Sequence, residues 1–382
     1  MSRSDLTRRR VLKSTAVIGV TTLTSWFPTR SAHAADLTVG VVYIGHRNDF
    51  GWNQSHALAA DALRAVPNVR VVEAGYLPES TDYTKMSANP QTRAYADAME
   101  RMITAHGAQL IISTAFGTDA VSSTMEKKYP DVQFRHSTAL GSDDSPKNAG
   151  SENVLINQGH YVNGVAAGLC TTSNKLGFVA GETDAPVLLN INSFMLGIRQ
   201  TNPDATVHAA FTREWTSPTR ETRVTNALVD AGCDVITCHV DAPKVIIQTA
   251  EDRGVKTCGH AFNQTSLAPK GYITGAEYKW ISVFEKFAEM LQKGETLPKF
   301  VIGGYDKNYA LSSPFGTGAN PKAINAAQAA ILAMKNNDAI FVGPIKDNTG
   351  KLMVPAGTTY GPYASELQKT NYLIEGVIGS IT

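Results

Sequence analysis

The sequence has few cysteines and none in a pattern that would bind a metal. Cys170, Cys233, Cys238 and Cys258 are the only four in 382 residues, and no CxxC pair occurs. Cys233 and Cys238 lie five residues apart around an apolar segment, which is poor spacing for metal ligands. We therefore expect buried free thiols, with one disulfide from Cys233 or Cys238 to Cys258 as the alternative in an oxidising compartment.

Catalytic signatures are missing as well. The chain has no HExxH, no G-x-S-x-G, no Walker A loop and no G-x-G-x-x-G opening a helix after its first strand. Its nine histidines are scattered. The two nearest to a pattern, His239 and His260, sit at separate strand ends, where a hydrogen-bonded core histidine is the common role. We expect no enzyme, no metal and no other cofactor.

Charge of one sign and long apolar runs are also lacking. Lys and Arg number 35 against 34 Asp and Glu, a net charge of +1, and no Lys/Arg cluster follows the N-terminal segment. This balance gives no support for nucleic-acid binding. No later apolar run is long enough to span a membrane. We expect a soluble mature protein that is monomeric.

The N-terminus has the features of an export signal. Thr7 to Lys13 reads TRRRVLK, a twin-arginine pattern, and a mildly apolar run follows from Ser14 to Phe27. Ala32-His33-Ala34 is a small-residue cleavage site. We expect residues 1–34 to be removed and the mature chain to lie in the periplasm, without a lipid anchor because no Cys lies near the cleavage site.

Strand-like and helix-like segments alternate from Leu37 onward. Short apolar or β-branched runs continue to Asn157, separated by amphipathic stretches, and a second series of the same kind begins at Lys175. Such βαβα alternation is typical of a parallel, doubly wound sheet. Two series of similar size, with no Pro/Ser-rich linker between them, predict an α/β fold with two lobes.

The loop after the first strand carries residue types that suit a flat polar ligand. Leu37 to Ile44 is a buried strand, and the loop that follows contains Asp49, Trp52 and Asn53. A loop at the carboxyl edge of a parallel sheet is where open α/β folds bind ligands. Trp52 can stack on a ring, while Asn53 and Asp49 can bond its polar edge. The alternative is a core Trp beside Asx turns.

Aromatic residues recur where loops leave the predicted strands. Each one singly is most often a packing residue, but their recurrence at one sheet edge predicts a binding cleft. They are Trp52, Phe116, Trp215, Phe262 and Trp280, with Phe194 at the start of a helix.

Five segments, in this order and spacing, resemble the basic membrane protein family of substrate-binding proteins for ABC importers. That family includes the purine-nucleoside-binding lipoproteins of bacteria, and the resemblance runs from about Leu37 to Val354. The segments are Asp49-Phe50-Gly51-Trp52-Asn53 (similar to Asp-x-Ser-Phe-Asn), Phe116-Gly117-Thr118-Asp119-Ala120 (Phe-x-x-x-Asp-Ala), Tyr161 to Gly168 (Tyr-Leu-Ala-Gly-x-x-Ala-Gly), Phe194 with Gly197 (Phe-x-x-Gly) and Gly303 to Phe315 (ending Ser-Pro-Phe).

This resemblance implies a two-lobed periplasmic binding fold of the first type. Each lobe would be a doubly wound parallel sheet, the chain would cross the hinge three times, and a small ligand would lie in the cleft. We expect the first lobe to comprise 35–158 and 277–312, and the second lobe 159–276 and 313–382. The partners would be a purine-type ligand and a membrane ABC permease.

The resemblance also implies roles for individual residues. Trp52 and Phe194 would sandwich the ring, and Asn53 and Asp119 would bond its edge. Asp49 and Asp241 would reach polar groups at the other side of the ligand. The expected binding set is completed by Phe116, Trp215, His260 and Trp280.

Two departures from the family favour a free nucleobase such as adenine over a nucleoside. Nucleoside-binding members carry an Asp at Ala261 and a Lys at Tyr278, and both contact ribose, although Lys279 lies one place away. Unpaired ligand hydroxyls would cost on the order of 1 to 3 kcal/mol. Trp215 and Trp280 add bulk where a sugar would lie.

Several alternatives stay open. A binding protein of the same fold could take a purine nucleoside or a simple sugar. A periplasmic nucleoside-processing enzyme could use Asp49 or Asp241 as acid or base. A cytoplasmic sensor would require an uncleaved N-terminus.

Overall fold

A computed structural model describes residues 36–75, 90–114, 119–137 and 146–381. The export signal at 1–34 and Phe116 lie outside the described residues. Asp119 begins a helix, but its side chain is not described. Among the described helices, none is long and apolar enough to cross a membrane.

Strands and helices alternate through most of the described chain. The elements are, in order, β1 (Leu37–Val42), α1 (Trp52–Leu63), β2 (Val69–Ala74), α2 (Pro90–Thr104), β3 (Leu110–Ser113), α3 (Asp119–Lys128), β4 (Gln133–Ser137), β5 (Ala149–Val154), α4 (Asn157–Gly168), β6 (Lys175–Ala180), α5 (Ala185–Thr201), β7 (Thr206–Phe211), α6 (Pro218–Asp230), β8 (Val235–His239), α7 (Lys244–Asp252), β9 (Lys256–Ala261), β10 (Tyr272–Tyr278), α8 (Trp280–Gln292), β11 (Phe300–Gly303), β12 (Ala310–Ser312), α9 (Pro321–Lys335), β13 (Phe341–Val342), β14 (Ile345–Lys346), β15 (Leu352–Val354), β16 (Thr359–Tyr360) and β17 (Val377–Ile378).

The first sheet has six parallel strands in the order β11-β5-β4-β3-β1-β2. Strands of a sheet that is covered on both faces read as continuous apolar runs, as β1 (LTVGVV) does. Gly40 in β1 lets α2 approach the sheet closely, because an added Cβ would lie 2.6 Å from the Met102 sulfur. The predicted α/β alternation is confirmed in this lobe.

The second sheet has seven strands in the order β12-β10-β9-β8-β6-β7-β17. All neighbours pair in parallel except β10 and β12, which are antiparallel. The second α/β series therefore forms its own sheet, as predicted. Two short antiparallel pairs, β13 with β16 and β14 with β15, follow near the C-terminus.

The chain passes between the two sheets three times. It crosses at α4, again between β10 and α8, and finally between β11 in the first sheet and β12 in the second. Residues 310–312 pair in the second sheet, so the expected first-lobe boundary at residue 312 is too late in the chain. The reason is that the third crossing lies between Gly303 and Ala310, earlier than the expected boundary.

Helices α4 and α5 pack unusually closely at the hinge. An added Cβ at Gly164 would lie 2.1 Å from the Phe194 carbonyl oxygen, and one at Gly197 would lie 2.1 Å from the Tyr161 carbonyl oxygen. Gly164 and Gly197, which belong to two of the family-like segments, therefore allow the backbones of α4 and α5 to come into contact.

The expectation of free thiols is confirmed for the described residues, which include all four cysteines. Each is buried and unpaired. Cys238 lies near the carboxyl end of β8, and Cys258 lies on the neighbouring strand β9. No disulfide joins them.

Candidate ligand-binding site

A cleft lies between the two lobes, at the carboxyl ends of strands from both sheets. It contains about 830 Å³ of empty space, counting the part that is open to solvent. Three large aromatic side chains, Trp52, Trp215 and Tyr278, and two histidines, His239 and His260, contribute to its walls. Trp52, Trp215 and His260 are members of the predicted set.

Trp52 lies at the first turn of α1 and is held from two sides. Its Nε1 donates to the Thr114 carbonyl oxygen at 2.9 Å. Its ring meets the Tyr278 ring edge-to-face, with 5.3 Å between centroids and 82° between planes. The side chain is 8% exposed, so it both lines the cleft and belongs to the core. A stacking role towards a ligand and a packing role in the core are therefore compatible for Trp52.

Tyr278 forms the cleft-side end of an aromatic stack. Its ring lies parallel to that of Trp280, with 5.1 Å between centroids and 15° between planes, and Trp280 in turn stacks on His56 at 4.5 Å. Burial raises the pKa of Tyr278, so its hydroxyl stays protonated. Trp280, predicted to contact the ligand, is fully buried behind Tyr278 and does not line the cleft.

Three histidines meet at the second-lobe wall. His239 ends β8 and His260 lies near the end of the neighbouring strand β9, so parallel pairing brings their rings to 4.3 Å between centroids. His160 of α4 contacts His260, with 2.9 Å between Nε2 and Nδ1. Asn190 Nδ2 donates to His239 Nδ1 at 2.8 Å. In the sequence, His239 is recognisable only as a residue at a strand end, because its partners His160 and His260 lie far away along the chain.

Burial keeps these three rings neutral. Desolvation lowers the pKa of His239 to about 3 and the pKa values of His160 and His260 well below the ordinary value. Among the described residues, no group of three or more His, Cys, Asp or Glu side chains could hold a metal ion. The histidines therefore offer the cleft neutral hydrogen-bonding groups.

The remaining polar lining consists of carboxylates and amides. Asp184 and Asp241 line the cleft, and burial raises the pKa of Asp184. Amide side chains come from Asn153, Asn157 and Gln368. In the part of the chain that the structure describes, no Lys or Arg belongs to the lining. The described polar lining therefore consists of carboxylates, amides and the two histidines, and none of these groups is a cation that would pair with a phosphate.

Two residues of the predicted set serve the loop and helix α1 instead of the cleft. The Asp49 carboxylate accepts from the backbone N–H groups of Gly51 (2.8 Å), Asn53 (3.0 Å) and Gln54 (3.0 Å). Asn53 donates through Nδ2 to Asp49, accepts from Gly45 N at 3.0 Å, and is 1% exposed. The four acceptor positions of the Asp49 carboxylate are used at the N-terminus of α1, and the Asn53 side chain is buried there against Asp49 and Gly45. This matches the Asx-turn alternative.

Phe194 is placed in the core of the second lobe. It is fully buried on α5 and meets Phe178 edge-to-face at 5.9 Å. It does not line the cleft, so it does not face Trp52 across a ligand. Its position follows from the close α4–α5 contact, which draws this face of α5 inward.

The loop after β1 also bridges the two lobes directly. Trp52 N donates to the Asp241 carbonyl oxygen at 2.9 Å, and Gln264 Nε2 donates to the Phe50 carbonyl oxygen at 2.7 Å. The ring of Phe50 meets that of Phe262 edge-to-face at 6.3 Å. We call these bridging contacts the latch. No local sequence pattern marks Gln264, because its partner Phe50 lies more than 200 residues away along the chain.

The chain has relatives among proteins that bind transported solutes. Residues 37–306 match the family described as ABC transporter substrate-binding protein PnrA-like. A purine-binding protein of Brucella abortus (strain 2308) is 31% identical over 330 residues, which cover 86% of this chain and 89% of that protein. A putative ABC transporter glucose-binding protein of Haloferax volcanii is 26% identical over 343 residues, covering 89% and 80%.

A solved structure with the same fold comes from Aeropyrum pernix K1. It is an ABC transporter solute-binding protein that superposes with a TM-score of 0.66 at 16% identity, covering 81% of this chain and 94% of that chain. The fold and the family match agree with the cleft just described. The chain therefore belongs to the PnrA-like family of ABC transporter substrate-binding proteins, which bind small molecules outside the cytoplasm and work with a membrane permease.

Proposed function

We propose that this protein captures a free purine base in the cleft and delivers it to an ABC permease. The observation that carries this proposal is the aromatic wall of the cleft, with Trp52, Trp215 and Tyr278 beside uncharged histidines. Aromatic faces stack on flat heterocycles, and a few polar groups fix their orientation. The purine-binding relative from Brucella abortus supports the same ligand class.

The preference for a base over a nucleoside rests on the cleft's polar groups. Tyr278 lines the cleft at the position where nucleoside-binding members have a lysine. No Lys or Arg lies among the described lining residues to replace that ribose contact. Trp215 is half-buried at the same wall and occupies volume there. Trp280 does not contribute to this argument, because it packs behind Tyr278.

A purine nucleoside is the second candidate. Asp184 and Asp241 both line the cleft, and carboxylates can accept hydrogen bonds from ribose hydroxyls. The same observation supports a simple sugar, the ligand named for the relative from Haloferax volcanii. A simple sugar lacks the flat heterocycle that would stack on the aromatic side chains of the cleft.

Calorimetric titration separates these candidates. We expect adenine, guanine, hypoxanthine or xanthine to bind at least about tenfold more tightly than its own nucleoside, since unsatisfied ribose hydroxyls cost on the order of 1 to 3 kcal/mol. Glucose serves as the control ligand and should not bind. Tighter binding of a nucleoside than of its base would instead identify a nucleoside receptor, with Lys279 the first residue to test as a ribose contact.

We also propose that the protein reaches the periplasm by twin-arginine export with cleavage near Ala34. Replacing Arg8 and Arg9 with Lys should leave a full-length precursor in the cytoplasm. The reason is that the export receptor recognises the two guanidinium groups, and Lys preserves only their charge. Cell fractionation with immunoblotting measures this. Arg3→Lys is the matched control and should be exported normally. Normal periplasmic levels of the double variant would contradict the assignment.

A further inference from the structure

We infer that His239 and His260 present two N–H donors to the cleft and thereby select 6-oxopurines, such as hypoxanthine, over adenine. This inference rests on the proposed purine-binding function and names the class of purine. Adenine was the example of a free base expected from the sequence. The hydrogen bonds around the two histidine rings instead favour a base whose edge has two adjacent acceptors, which adenine lacks.

The tautomer of His239 follows from its neighbour Asn190. The Asn190 Nδ2 group lies 2.8 Å from His239 Nδ1. An amide NH₂ group only donates, so Nδ1 is the acceptor and, in a neutral ring, the proton is on Nε2. Within the described chain His239 Nε2 has no partner. His239 is 8% exposed and lines the cleft, so this N–H is free for a ligand.

The tautomer of His260 follows from its neighbour His160. His160 Nε2 and His260 Nδ1 are 2.9 Å apart, so one of them carries the shared proton. His160 Nδ1 is buried and has no hydrogen-bond partner among the described residues. A buried N–H without a partner is rarer than a buried acceptor without one. The proton therefore lies on His160 Nε2, which donates a hydrogen bond to His260 Nδ1.

His260 consequently carries its own proton on Nε2. The ring lines the cleft beside His239, with 4.3 Å between the two centroids. Within the described chain, His260 makes no further side-chain hydrogen bond through Nε2. Two neighbouring imidazole rings thus offer two donors and no acceptor. Burial keeps both rings uncharged, which disfavours an anionic ligand as their target.

Purines differ in what they present to such a pair. The N7 and O6 atoms of a 6-oxopurine are adjacent acceptors, whereas adenine has an acceptor at N7 beside a donating amino group at C6. A donor pair can satisfy both atoms of the first edge. Facing adenine, one histidine N–H could still donate to N7, but the other would oppose the amino group at C6, and those two opposed donors would be left unpaired. Selection between the two bases then depends on these rings.

Titration of the wild-type protein with three ligands tests the inference directly. We expect hypoxanthine to bind at least about tenfold more tightly than adenine, in line with the cost of an unpaired buried donor. We expect 7-deazahypoxanthine, which lacks the N7 acceptor, to lose a similar factor relative to hypoxanthine. This comparison needs no variant and is unaffected by any failure to fold.

A variant separates hydrogen bonding from packing. His239→Phe keeps a flat ring beside His260 but removes the donor, so hypoxanthine should weaken at least about tenfold while adenine changes little. The ratio of the two affinities is the readout that a purely structural role would not move. His208→Phe is the control, because His208 is half-buried on β7 and does not line the cleft.

Adenine binding as tightly as hypoxanthine to the wild type would overturn this inference while leaving the proposed function standing. An equal loss for both bases in His239→Phe would also overturn it, because the ring would then act only through packing. Absence of binding by every purine base would overturn the proposed function itself, and this inference with it.

Discussion

Acidification from pH 7 to pH 5 is expected to lower the free energy of unfolding by about 5 kcal/mol. Four histidines are buried in uncharged form: His56, His160, His239 and His260. Desolvation lowers the pKa of His56 to about 3, as it does for His239, and lowers the other two well below the ordinary value. Each contributes about 1.4 kcal/mol per pH unit below the unfolded pKa.

The sign follows from which state binds the protons. Between the lowered folded pKa and about pH 6.5, the unfolded chain binds a proton at each histidine and the folded chain does not. Stability is therefore present above pH 6.5 and is lost as the pH falls. Glu152 acts in the opposite direction, since burial raises its pKa to about 7 and the folded state takes up a proton there. The four histidines together contribute a loss of about 7 to 8 kcal/mol, and about 5 kcal/mol remains after the Glu152 offset of about 2 kcal/mol.

Urea unfolding at pH 7, 6 and 5 measures the effect. His56→Phe should reduce the pH slope by about 1.4 kcal/mol per pH unit, the contribution of one proton, whatever its effect on absolute stability. His106→Gln is the matched control, because His106 is exposed and its side chain is not part of the core. A wild-type free energy of unfolding that does not change between pH 7 and pH 5 would contradict the prediction.

Gly51→Ala is expected to weaken ligand binding by about ten- to a hundredfold. An added Cβ at Gly51 would lie 2.1 Å from the Asp241 carbonyl oxygen and 2.4 Å from Pro243 Cδ. The loop would have to move away, and the hydrogen bond from Trp52 N to that oxygen would be lost. Overpacking and a lost hydrogen bond cost on the order of 1 to 3 kcal/mol. The latch would then fail to bring the lobes together over the ligand.

Two measurements report this change. Calorimetry gives the affinity for the purine base that the wild type binds most tightly, and small-angle X-ray scattering with ligand gives the radius of gyration, which should be larger in the variant. Gly361→Ala is the matched control, because an added Cβ there meets no atom of the described chain within 4 Å. Wild-type affinity and size in Gly51→Ala would show that the latch does not govern closure.

Local periodicity was sufficient to predict the architecture. Continuous apolar runs such as β1 mark buried parallel strands, and the restart of the pattern near Lys175 marks the second sheet. The loop containing Trp52 was correctly expected at the carboxyl edge of its strand, because a loop that follows a strand can lie nowhere else. The late boundary at residue 312 was not predictable, since a three-residue strand such as β12 has no period of its own.

The composition of the site depended on contacts that sequence patterns do not encode. The sequence by itself determined the fold class, the family and the strand ends at which polar and aromatic residues would occur. Only the tertiary structure decided that Asp49 and Asn53 hold the N-terminus of α1, and that Phe194 and Trp280 lie in the core. The same aromatic or polar residue type can line a cleft or pack behind it. The direction of the side chain decides between these positions, and residue type does not report that direction.

The histidine cluster shows the same limit most clearly. His160, His239 and His260 lie on α4, β8 and β9, up to 100 residues apart in the chain. Each strand end was predictable from a local run, but their meeting depends on the order β9-β8 in the sheet and on the crossing helix beside it. A local pattern reports which face of its own element a residue occupies. Sheet order, helix packing and closure of the lobes decide which faces meet.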